Sequence, residues 1–227
     1  MMRAVVQQTD DFLRGAGGYA VGEPLAGRLR WLIAFVVAGG LFYGAVMGTF
    51  TGLAPGRWHQ LLYSGVKVPL LLLVTFVLCL PSFFVVNALA GLRADFGEAL
   101  RAIVGTQACV TLVLAALAPL TAVFYLSCGD YVLAVLANGV MFGVATAAAQ
   151  IVVRRYYGPL IRRDRRHRRM LHVWFGLYVF VGIQMGWVLR PFIGDPDRPV
   201  VFFRQEAWGN AYLVVVNILL HLLRAIS

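Results

Sequence analysis

The sequence predicts an all-α fold: a polytopic transmembrane bundle of six spans with both termini on the cytoplasmic side. Three observations predict it. The chain is 60% hydrophobic and only 13% charged, about half the charged share of a water-soluble domain, and its mean hydropathy is +0.78. Apolar stretches of roughly 20 residues, the length that carries a helix across about 30 Å of hydrocarbon, recur along the chain. The basic residues fall in alternate connectors.

Residues 1–30 form a polar cytoplasmic segment containing Asp10, Asp11 and Glu23. No small-residue cleavage site closes a short apolar run there, so a signal peptide is not expected. The remainder, 31–227, reads as a single transmembrane domain. The first span is expected near Trp31–Gly52. The loop after it, "GLAPGRWHQLLYSGVKVP", sets Trp58, Leu61, Leu62 and Val66 at helical spacing opposite Arg57, His59 and Gln60, a pattern that predicts a short helix lying in the membrane interface.

The second span is expected over Pro69–Leu92 and the third over Ile103–Leu126. Pro81 and Pro119 each remove a backbone donor, which frees the carbonyls of Val77 and Ala115. With Ser82, Asn87 and Thr121 nearby, either a small polar pocket or a simple bend answers them. Only "SCGD" separates the third span from the fourth, Tyr131–Val153, so the two should form a tight antiparallel hairpin. Gly158–Pro159 is expected to break the fourth helix ahead of a short basic helix. The fifth span is expected over Leu171–Leu189. The sixth, Trp208–Leu223, carries Asn210, Asn217 and His221 on one face and either crosses or lies partly in the interface.

Orientation follows from charge. With the N-terminus inside, the inner segments hold fifteen of the twenty Arg and Lys residues and the outer loops hold Arg57, Lys67, Arg190, Arg198 and Arg204. Basic residues are retained on the cytoplasmic side, where the leaflet is anionic. The chain is therefore expected in a bacterial cytoplasmic (inner) membrane; nineteen arginines against one lysine fit a GC-rich bacterial genome.

The densest basic stretch, "RRYYGPLIRRDRRHRRM", contains Arg154, Arg155, Arg162, Arg163, Arg165, Arg166, Arg168 and Arg169. One reading is a topological anchor; the other is a surface that gathers anionic lipid headgroups or docks an acidic partner. Small residues recur at Gly40, Gly44, Gly48 and Gly52, at Gly139 and Gly143, and at Gly182 and Gly186. This spacing lets helices approach closely, either within the monomer or between copies. Asn87, Asn138, Gln184 and Asn217 are candidates for a polar path, and otherwise for pairwise hydrogen bonds. Arg190, at the end of the fifth span, is a candidate outer contact for an anion; the alternative is an aromatic belt with self-neutralising charges.

Several classes are disfavoured. The net charge of +10 is confined to connectors and does not form the aromatic-interleaved basic face of a nucleic-acid binder. Cys79, Cys109 and Cys128 suggest no disulfide framework. His59, His167, His172 and His221 lack partners at metal-ligand spacing, and no nucleophile, metal or phosphate motif is present, so neither catalysis nor a cofactor is expected. No Asp, Glu or Lys lies near the middle of a span, which argues against proton-coupled transport. A non-catalytic scaffold, lipid-organising protein or complex subunit is the first reading. A channel, facilitator or scramblase is the alternative.

The layout over roughly Leu13–Val153, a polar start followed by closely spaced spans bearing glycine and proline, resembles bacterial membrane proteins of the Yip1-domain type. That resemblance implies a helical membrane fold. Eukaryotic members act in membrane trafficking and are usually drawn with five spans.

Overall fold

In the computed structural model, residues 25–204 are described. They form five long helices: α1 (Leu25–Gly52), α2 (His59–Leu89), α3 (Phe96–Ser127), α4 (Tyr131–Arg163) and α5 (Arg166–Leu189), with a 3-10 turn at Arg93–Asp95 before α3. All five are long and apolar enough to cross a membrane. At 1.5 Å per residue their lengths run from about 36 to 50 Å. The sixth expected span, with Asn210, Asn217 and His221, lies outside the described residues, as do the first 24 residues.

Packing starts from the glycines of α1. A Cβ on Gly44 would lie 2.3 Å from the Ser64 carbonyl oxygen, and one on Gly48 would lie 2.7 Å from Leu61 Cα. Backbone therefore meets backbone, which side chains larger than hydrogen forbid. The pairing runs Gly40 to Pro69, Gly44 to Ser64 and Gly48 to Leu61, so α1 and α2 are antiparallel. The other side of α1 meets α3 at Gly39 and Thr111. α4 then covers α3 with Ala134, Ala145, Ala149 and Val152, and α5 covers α2. Trp174 of α5 meets Phe76 and Phe83 edge-on at 5.5 and 5.0 Å, and those aromatic contacts anchor the least covered helix of the five.

Four expectations are corrected. α2 begins at His59, so the stretch expected to lie in the interface is its first two turns and Lys67 is a helical residue. Pro69 sits within this helix against Gly40. α4 continues through Gly158–Pro159 to Arg163. Pro159 is exposed and lies in the last turns, where the carbonyl it frees, that of Arg155, is beyond the apolar stretch. α5 starts at Arg166, so the basic stretch is two helix ends and not a loop. α3 likewise starts seven residues before Ile103.

Other expectations hold. Cys128–Asp130 links α3 to α4 tightly, with Asp130 Oδ1 accepting from the Leu133 N–H at 3.0 Å as an N-cap. Pro81, Ser82 and Pro119 are exposed on the outside of the bundle, whereas Asn87 and Thr121 are buried. Gly91 takes φ +77° after α2, a conformation glycine adopts without strain, and turns the chain into α3. The five helices give the bundle a basic end, with Arg93, Arg101 and Arg154–Arg169, and an opposite end. There the segment 190–204 folds back as an irregular strap.

Candidate functional site

The basic end is built on one carboxylate. Arg163 donates to Asp95 Oδ1 at 2.7 Å and lies 3.6 Å from Glu98, while the His167 Nε2 sits 3.1 Å from Asp95 Oδ2. Arg166 donates to the Ala90 carbonyl at 3.2 Å. Asp95 thus ties the α2–α3 connector to both α4 and α5. The Arg93–Asp95 turn lies outside the apolar stretch of α3. The hydrogen bond with His167, aided by Arg163, holds the Asp95 carboxyl below the usual carboxylate range. His167 is fully buried, with the Tyr157 ring edge-on at 6.0 Å.

All eight arginines between 154 and 169 are exposed. Helical spacing spreads them around the ends of two helices that are both tied to Asp95, so they stand at one end of the bundle. Guanidinium forks match phosphate and carboxylate oxygens and take them two at a time. The chemistry available here is the gathering of oxyanions at one end of an apolar bundle.

The remaining sequence candidates separate. Gly40, Gly44, Gly48 and Gly52 all face α2 within the monomer, whereas a Cβ on Gly139, Gly143 or Gly186 would meet nothing within 4 Å and one on Gly182 would only touch Thr75 at 3.7 Å. Asn87 donates to the Phe83 carbonyl of its own helix at 2.9 Å, near the basic end. Asn138 lies near the strap end, where its Oδ1 accepts from the Tyr43 hydroxyl at 3.0 Å and its Nδ2 donates to Tyr125 and to the Ala134 carbonyl. The two asparagines belong to different networks. Gln184 is half-buried on α5, and Asn217 lies outside the described residues. Arg190 stacks on the Trp187 ring with its Cζ 3.2 Å from the ring centroid and is not among the residues lining the cleft at that end.

The strap end contains what sequence reasoning missed. Gln60, Ser64 and Lys67 follow one another at four- and three-residue steps, so they share one face of α2, and Arg57 stands just before its first turn. Each donates to a carbonyl of the strap. Arg57 reaches those of Asp195, Pro196 and Arg198; Gln60 and Ser64 reach that of Phe192; Lys67 reaches that of Pro191 at 2.7 Å. The Phe202 ring lies over Lys67, 4.9 Å from Nζ to centroid. Asp195 is paired with Arg198 and Arg204 at 3.4 and 3.6 Å, as the neutral-looking charge set in this loop suggested. The polar spacing was legible, but only once the helix is carried back through Pro69.

The Tyr178 hydroxyl of α5 lies 3.0 Å from Gln107 Oε1 and 3.3 Å from the Leu72 carbonyl oxygen, either of which accepts its single proton, so a third polar contact ties α5 to α2 and α3. Among the described residues, no three His, Cys, Asp or Glu side chains are grouped to hold a metal ion. No known protein family, curated protein or solved structure matches this chain.

Proposed function

We propose that this chain is an integral protein of a bacterial cytoplasmic membrane, with its basic end in the cytoplasm. There it serves as a non-catalytic scaffold that organises anionic lipid or a membrane complex. The observation that carries the reading is the set of eight exposed arginines on two helix ends latched through Asp95. An anchor for orientation needs charge alone; a binding surface also needs the charges held in place. Near an anionic leaflet each basic residue contributes about 1 kcal/mol. The Yip1-type layout is compatible with such a role, and no functional residue is carried over from it.

A conduit or scramblase needs its amides on one continuous polar path. Asn87 and Asn138 bond to separate partners near opposite ends, which favours the scaffold. The test is reconstitution with spin-labelled phosphatidylglycerol or phosphatidylcholine. The protein should immobilise the anionic lipid several-fold more strongly, and replacing Arg162, Arg165, Arg168 and Arg169 with glutamine should bring the ratio close to one. Equal retention of both lipids by the unaltered protein refutes lipid organisation; solute flux or lipid scrambling lost in Asn138→Leu would establish the conduit instead.

A further inference from the structure

Lys67 is the single lysine of the chain, and it is fully buried. Its ammonium has one carbonyl and one aromatic ring as neighbours, and among the described residues no carboxylate lies within ion-pair distance. A buried cation without a counter-charge is costly, and one carbonyl uses only one of its three protons. The strap carries two aspartates. Asp195 is taken by Arg198 and Arg204, and Asp197 is exposed.

The surroundings of Lys67 are likewise incompletely used. Among the described residues, Gln60 Oε1 and Thr51 Oγ1 are buried without a hydrogen-bond partner, and Gly194 of the strap fits over both residues, since a Cβ there would lie 2.0 Å from Thr51 Oγ1 and 3.0 Å from Gln60 Cγ. Beside the strap an open cleft of about 460 Å³ is lined by Gly56, Arg57, His59, Tyr63, Pro199 and Val200. Tyr63 packs edge-on against Phe202 at 5.3 Å, and Phe202 covers Lys67. One aromatic pair therefore stands between the cleft and the ammonium.

We propose that this end of the bundle is an oxyanion-binding site. The cleft with Arg57 and His59 is its mouth, the Tyr63–Phe202 pair is its partition, and Lys67 is its inner end. The carbonyls of Pro191 and Phe192 occupy it in this structure as internal stand-ins for the ligand's oxygens. The ligand is a carboxylate or phosphate small enough for the cleft. It is either free in solution or the headgroup of an acidic lipid. The proposal does not depend on the arginine surface at the other end.

The test uses the only lysine as its own reporter. Purified full-length protein in nanodiscs is treated with pyridoxal phosphate, an oxyanion that carries an amine-reactive aldehyde. The imine is reduced with borohydride and modification of Lys67 is read by peptide mass. Uncharged pyridoxal is the comparison, and denatured protein is the control for intrinsic reactivity. The phosphate should speed labelling at least about tenfold, the lower range for a cleft lined by one sign of charge. Competition by inorganic phosphate identifies a free anion as the ligand, and competition by phosphatidylglycerol in the nanodisc identifies a headgroup. Gly194→Val, which forces the strap away, should raise the rate further. Failure of pyridoxal phosphate to label the folded protein, or equal rates for the two aldehydes without competition by either anion, overturns the site, whether or not the Gly194 variant folds.

Discussion

Placing a single methyl group at Gly44 tests the central packing argument. The added Cβ would stand 2.3 Å from the Ser64 carbonyl oxygen and 2.9 Å from Gly65 Cα, about 1.1 Å short of the 3.4 Å where ordinary contact begins. Both neighbours are backbone, so neither can swing aside; α1 and α2 must separate along their whole crossing. Overpacking of this kind costs about 1–3 kcal/mol. Alanine also favours the helix over glycine by up to about 1 kcal/mol, which partly offsets the loss. The same substitution at Gly139 meets nothing within 4 Å and retains only the favourable part. Reversible unfolding by SDS titration should therefore place Gly44→Ala below the unaltered protein and Gly139→Ala at or slightly above it. Equal stability of the two variants would refute the contact between α1 and α2. Loss of stability at Gly139 alone would locate the close helix contact on α4, between copies.

Asp95→Asn should loosen the basic end, detected as faster proteolysis between Arg154 and Arg169. Because the folded-state carboxyl is lowered, its contribution is present above the ordinary value of about 3.9 and is lost as pH falls below it, so proteolysis of the unaltered protein should rise only below about pH 4. Trp174→Ala removes the ring seated between Phe76 and Phe83 and should cost about 3–5 kcal/mol, with increased hydrogen exchange confined to α5. Tyr43→Phe leaves the Asn138 carbonyl without its donor and should cost about 1–3 kcal/mol in the same SDS titration. In intact cells, an impermeant maleimide should modify Cys128, which is partly exposed in the α3–α4 connector, and spare the buried Cys79 and Cys109; labelling only after permeabilisation would reverse the proposed orientation.

Much of the framework was legible because hydropathy is a property of consecutive residues. Five apolar stretches were placed where helices occur, and the glycine register on α1 was visible as a four-residue repeat. Helix boundaries lie beyond the apolar runs where polar turns continue the helix. Polar turns at His59–Lys67 and Arg154–Arg163 are helical because a continuing helix satisfies its own backbone and because Asp95, Gly48 and the strap give those turns partners. The proline signal misled at Pro159 for the same reason.

The sequence by itself determined that the chain is a set of long apolar helices with its arginines concentrated in alternate connectors, since length, hydropathy and charge need no knowledge of contacts. Only the tertiary structure decided that the α1 glycines face α2, that Asp95 meets Arg163 and His167, and that the strap lies across Lys67. These partners lie from about ten to more than a hundred residues apart, and which of them meet depends on how the helices turn about their axes. Hydropathy is nearly the same around an apolar helix, so that rotation is fixed by the fit of backbone and side chains and not by the run of letters.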